Sequence, residues 1–111
     1  MKDASEQKSQ LRKGLLELAV LLVVSRGSVY ASDILKQLKD SDLLVVEGTL
    51  YPLLSRLKDD GSLGYQWQES KSGPPRKYYQ LTKKGESDLS QLLQTWTNLS
   101  QSINSLIKIT K

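Results

Sequence analysis

At 111 residues, 38% hydrophobic and 25% charged, the chain has the make-up of one ordinary globular domain with a modest core. It contains no cysteine and no histidine, which excludes disulfides and thiolate metal sites and removes the commonest general base. No stretch approaches the roughly 20 apolar residues of a membrane span, and the polar start MKDASEQKSQ is no secretory signal. A cytoplasmic protein without a membrane partner is expected.

Residues 1–8 are polar and read as frayed or loosely helical. A helix is expected from about Ser9 to Ser25, with Leu11, Leu15, Leu18 and Leu22 as one stripe and Leu16, Val20, Val23 and Val24 loading another face. A helix apolar on more than one side needs cover on more than one side. It therefore reads as a core helix that also meets a second subunit. Gly27 is placed to end it. A second helix follows from Tyr30 to Lys39, with Tyr30, Ile34, Leu35 and Leu38 inward. Leu43 to Val46 form a short run suited to pairing with a sheet edge.

Thr49 is a plausible N-cap for a third helix, with Pro52 in its first turn, where a missing N–H costs least. Leu50, Leu53, Leu54 and Leu57 make its apolar stripe, and Thr49, Tyr51, Ser55 and Arg56 fall towards the other side. Gly61 ends it. Leu63, Tyr65 and Trp67 then alternate with Gly64, Gln66 and Gln68, the period of a half-buried strand. Ser72 to Pro75 make the turn, and a second strand returns from Arg76 to Leu81.

Thr82 can cap a long last helix, in whose first turn Lys83 and Lys84 oppose the helix dipole. Leu89, Leu92, Trp96, Leu99, Ile103 and Leu106 recur at alternating three- and four-residue spacings. That heptad pattern, with Ser, Gln, Thr and Asn between, calls for a partner helix. With Leu11, Leu15 and Leu18 it makes up the expected interface of a homodimer.

The fold class expected is mainly α with a small β-hairpin, a winged helix-turn-helix with a long C-terminal dimerisation helix. Residues 1–81 would form the DNA-binding domain and 82–111 the dimerisation helix of the same compact unit. The net charge of +4 supports this reading through its distribution. Lys71, Arg76, Lys77, Lys83 and Lys84 stand in a stretch without a single acid, leaving 11 basic residues against 12 acidic ones elsewhere. Such runs are commonly solvated faces. On a hairpin beside a candidate reading helix, the run points to nucleic acid.

The wording of this region is more specific than its layout. Glu47-Gly-Thr-Leu-Tyr-Pro-Leu-Leu-Ser-Arg-Leu, then Asp60-Gly-Ser-Leu, then Gly73-Pro-Pro-Arg-Lys-Tyr-Tyr-Gln-Leu-Thr82 and Gly85 closely resemble the PadR family of transcriptional regulators. The resemblance extends over Leu11 to Leu38, with Ala31 where the family usually has glycine. One helix after the wing makes the chain similar to the short subfamily. The resemblance implies DNA contacts from Thr49, Tyr51, Ser55 and Arg56, from Lys71, Arg76 and Lys77 on the wing, and secondarily from Ser32 and Lys36.

The same residue types fit that role on their chemistry. Hydroxyls and a forked guanidinium donate to phosphates or base edges, and wing cations can straddle the backbone or enter a minor groove. Tyr51 has a second reading, as an aromatic packed at the helix–sheet seam, and Trp67 reads as structural. No catalytic constellation is present, since a serine nucleophile has no histidine to activate it. Asp59-Asp60 and Asp40/Asp42 read as turn and cap residues, and no cofactor or metal is expected.

Trp96 has two readings. It is either an anchor of the dimer core, or two such rings face each other across the two-fold axis and sandwich a planar aromatic molecule. Leu15, Leu92 and Ser100 would be its neighbours in that pocket. Multidrug-sensing members of the short subfamily are similar in having a tryptophan on the last helix. The function expected is a dimeric repressor that leaves double-stranded operator DNA when a small aromatic ligand binds. Two alternatives stand beside it, a winged helix used only for protein–protein contact and a DNA-binding regulator without an effector.

Overall fold

A computed structural model describes residues 4–70 and 73–109. Among these residues, five helices and three strands follow one another as α1 (Ala4–Lys13), α2 (Leu16–Ser25), β1 (Val29–Tyr30), α3 (Ala31–Asp40), α4 (Glu47–Asp59), β2 (Leu63–Ser70), β3 (Gly73–Leu81) and α5 (Lys83–Ile109). The strands form one antiparallel sheet in the order β1-β3-β2. This is the mainly helical winged helix-turn-helix expected, with its long C-terminal helix.

The core is built where α2, α3 and α4 meet the base of the sheet. Val20, Leu21, Ile34, Leu38, Leu50, Leu54 and Leu57 are almost completely buried, joined by Leu63 and Tyr79 from the sheet. Both α3 and α4 end in the same device. The Leu43 N–H reaches back to the Leu38 carbonyl at 2.7 Å, and the Ser62 N–H to the Leu57 carbonyl at 2.9 Å. Each bond requires a left-handed residue just before it. Gly61 supplies one at φ 85°, and Asp42 supplies the other at φ 61°, a conformation aspartate tolerates better than most residues.

Four local expectations give way to the tertiary structure. The first helix is two helices, broken at Gly14 and Leu15. Glycine is the weak point there, and Arg12 Nη1 donates to the Leu44 carbonyl at 2.6 Å, which draws α1 towards the α3–α4 connector. The N-cap of α4 is Val46, not Thr49. Its carbonyl accepts from the N–H groups of Thr49 and Leu50, both at 3.0 Å, so Pro52 lies inside the helix. Having no N–H, it cannot make the helical bond to the Gly48 carbonyl four residues back.

The third and fourth concern the sheet. Val29–Tyr30, and not Leu43–Val46, pairs with β3. In the connector Val45 is buried and Leu43 packs half-buried against the core, while Leu44 and Val46 point outward, so the run anchors to the core by alternate residues and joins no ladder. Pro74 and Pro75 lie within β3, not in the turn. The register slips between Gln68 and Ser70 opposite them, and such a bulge accommodates residues that cannot donate to a ladder.

The base of α5 is locked onto the start of β2. Thr82 Oγ1 accepts from the Gly85 N–H at 2.9 Å and donates to the Gly61 carbonyl at 2.5 Å. The buried Ser62 donates its hydroxyl to Asp88 Oδ2 at 2.6 Å, and Lys84 Nζ reaches the same carboxylate at 2.9 Å. These two donors hold the Asp88 carboxyl below its ordinary range, the serine hydrogen bond first and the lysine second. Lys84, unfavourable to the helix dipole, thus has a structural partner one turn on.

Candidate nucleic-acid interface

One end of α3, one face of α4 and the wing converge on a groove of about 490 Å³, lined among others by Ser32, Tyr51, Ser55, Trp67, Arg76 and Lys77. Both helices owe their place to the core. Leu50, Leu54 and Leu57 bury one side of α4, and that rotation sets Tyr51 and Ser55 towards the sheet. Ile34 and Leu38 do the same for α3, leaving Ser32 and Lys36 exposed, one turn apart. Tyr51 keeps 47% of its surface exposed, more than a packed seam residue would.

The wing cations are not free-swinging. Arg76 and Lys77 are successive residues of β3 and leave it on opposite faces. The Lys77 ammonium lies 4.7 Å from the ring centre of Tyr65 and 5.5 Å from that of Trp67. Trp67 and Tyr65 meet edge-on at 6.0 Å between centroids. The Arg76 guanidinium lies 5.5 Å from the centre of Tyr30. Each cation is therefore attracted to aromatic faces, while its N–H groups remain available to an anion. Tyr79, beneath the groove, has its phenol pKa raised, mainly by burial and then by Tyr51 and Tyr65 nearby, so it stays a neutral hydroxyl.

The candidates from sequence separate into groups. Tyr51, Ser55, Ser32, Arg76 and Lys77 share the groove. Lys36 lies outside its lining, on the exposed side of α3. Thr49 and Arg56 face the other way, towards Gly14, Leu16 and Glu17 at the α1–α2 junction. Arg56 is ion-paired there with Glu17 at 3.1 Å, an exposed pair of small energetic weight. Lys71 lies outside the described residues.

The sequence reading put Tyr30 on the inner face of a helix and Trp67 among structural residues, whereas Tyr30 lies in β1 and both line the groove. Trp67 is 60% exposed and sits directly opposite Lys77. The period-2 alternation of the strands carried that signal, once a register was chosen.

A second surface runs along α5. Leu89 and Leu92 lean on the core, but Trp96 is 43% exposed, Leu99 60% and Ile103 57%. Leu93 and Ile107, each one turn from a stripe position, widen this apolar face beyond the heptad positions. Leu11 is exposed on α1, and Leu15 is half-buried in the α1–α2 turn. Leu18 is buried within its own chain, which leaves it little surface for a partner. Leu92, Trp96 and Ser100 follow at four-residue spacing along one side of the helix.

No helix among the described residues is long and apolar enough to cross a membrane. Residues 20–91 match the sequence profile of the transcriptional regulator PadR-like family. A PadR-like transcription factor from Bacteroides fragilis is 53% identical and similar in structure with a TM-score of 0.77, the match covering 91% of this chain and 98% of that one. A PadR-like transcriptional regulator from Bacillus cereus is 35% identical over 88% of this chain and 96% of its own, with a TM-score of 0.78. A PadR family transcriptional regulator from Eggerthella lenta is 33% identical over 93% of this chain and 90% of its own, with a TM-score of 0.85.

Proposed function

This chain belongs to the PadR-like family of transcriptional regulators, which are not enzymes, and from that premise we propose a homodimeric repressor that occupies operator DNA and leaves it when a planar aromatic molecule binds between its subunits. The observation that carries the DNA reading is the convergence of Tyr51 and Ser55 on α4 with Arg76 and Lys77 on the wing. Hydroxyls on a helix suit base edges in a major groove. Cations on a projecting hairpin suit the flanking phosphates. A wing used for protein contact alone has no need of a stretch from Lys71 to Lys84 without an acid.

Dimerisation is supported by the exposed stripe of α5, which no soluble monomer benefits from leaving in water. Two α5 helices of 27 residues, each about 40 Å long, would carry the two α4 helices to successive major grooves about 34–36 Å apart. Release follows if the ligand prefers a dimer shape in which that spacing is wrong. The lock of Thr82, Ser62 and Asp88 at the base of α5 would transmit a shift of that helix to the reading head as a rigid body. Selection of bound duplexes from a random pool tests the dimeric DNA-binding reading. An enriched, two-fold related sequence is the expected result. A protein that enriches nothing and binds duplex DNA at no salt concentration refutes it.

A further inference from the structure

Tyr30 belongs to two parts of the molecule at once. Its backbone lies in β1, opposite Tyr78. It is also the residue that precedes α3, its N–H donating to Asp33 Oδ2 at 3.1 Å. The ring then reaches outward, past its own cross-strand partner. It meets Tyr78 edge-on at 4.7 Å between centroids and carries the Arg76 guanidinium over its face at 5.5 Å. Its hydroxyl donates to Gln68 Oε1 at 3.4 Å, and Gln68 is the cross-strand partner of Arg76.

The outer wing needs such a hold. Strand β1 is two residues long and ends at Tyr30, so its pairing with β3 stops at Tyr78. Just beyond, the ladder between β2 and β3 slips at the bulge opposite Pro74 and Pro75, which cannot donate to it. The Gln68–Arg76 pair is thus the last in regular register, and Tyr30 touches both of its members. A guanidinium held 5.5 Å from a ring centre is attracted to the ring while its N–H donors stay free for a phosphate. It has also given up part of the rotamer freedom that a free arginine would lose on binding.

We infer that Tyr30 is a positioning residue that fixes the angle of the outer wing to the helix-turn-helix unit and holds Arg76 ready for a DNA phosphate. The second half of this assignment rests on the DNA reading above; the first half does not.

The test uses full-length Tyr30→Leu and Tyr30→Phe proteins, each with Arg76 intact and with Arg76→Ala, titrated with a mixed-sequence DNA duplex. Tyr30→Leu should weaken binding roughly three- to tenfold without changing the salt slope. Tyr30→Phe should stay within about twofold, and the loss should vanish in the Arg76→Ala background. Equal losses in both backgrounds would mean that Tyr30 acts on general stability and would overturn the assignment. Hydrogen exchange of the DNA-free proteins decides the joint independently. Tyr30→Leu should speed exchange at Gln68, Arg76 and Lys77 while Leu63 and Tyr79 keep their protection, which also reports an intact fold. Unchanged exchange at the outer pair refutes the joint, whereas a parent protein that binds no duplex refutes only the DNA reading.

Discussion

The same substitution should have opposite signs at two helical glycines. At Gly85, near the start of α5, an added Cβ would stand 2.0 Å from the carbonyl oxygen of Ser62 and 3.1 Å from the Leu81 side chain. The obstacle at Ser62 is backbone, so the helix base must move by about 1 Å before the methyl group fits. That displacement pulls on the Thr82, Ser62 and Asp88 hydrogen bonds together. Overpacking of this kind costs about 1–3 kcal/mol, with lost hydrogen bonds adding to it. The gain in helix propensity offsets at most about 1 kcal/mol. Gly85→Ala should therefore destabilise by roughly 1–3 kcal/mol net. At Gly48 in α4 nothing lies within 4 Å of the added atom, so only the propensity gain remains and Gly48→Ala should stabilise by about 0.5–1 kcal/mol. Urea unfolding at one fixed protein concentration measures both, because association would otherwise shift the midpoints. A Gly85→Ala protein as stable as the parent would show that α5 does not seat on Ser62 as described.

Four further outcomes are expected. Leu99→Asp with Ile103→Asp places charge in the proposed seam and should cost several kcal/mol of dimer stability; sedimentation of the double mutant as a dimer as stable as the parent's would remove the interface. Arg76→Ala with Lys77→Ala should flatten the salt dependence of DNA binding by up to about 0.9 per lost phosphate contact, while Tyr51→Phe or Ser55→Ala should change sequence preference by about 1–3 kcal/mol per lost base contact. Trp96→Ala should abolish fluorescence quenching by planar aromatic cations and leave duplex binding largely intact; undiminished binding of such compounds would put the pocket elsewhere. For Asp88 the folded carboxyl titrates below its ordinary value, so its stabilisation is present above the unfolded pKa of about 4 and is lost as pH falls through the lower folded value. Asp88→Asn should flatten that acid limb of the urea midpoint, and an unchanged pH profile would show that the Ser62 and Lys84 bonds are not made in solution.

Much of the fold was legible because its determinants are local. Gly61 and Gly27 both take positive φ, as helix-ending glycines do, and Thr82 caps α5 because its hydroxyl lies three residues from the Gly85 N–H. The alternation of Leu63, Tyr65 and Trp67 named the strand, and the leucines of α4 named its buried face. Each of these rests on spacings within a few residues, which a sequence displays directly.

What only the tertiary structure decided depends on partners far apart in the chain. Val29 and Tyr30 became a strand because β3, some fifty residues later, offered an edge, whereas Leu44 and Val46 found none. Arg56 and Thr49 share a helix with Tyr51, yet a rotation set by Leu50, Leu54 and Leu57 turns them to Glu17 and away from the wing. Asp88 stands one turn from Lys84, but only the fold brings Ser62, 26 residues before it, to the same carboxylate. Helical period and residue type state which side chains share a face. They do not state what that face will meet, because the meeting is fixed by burial summed over the whole chain.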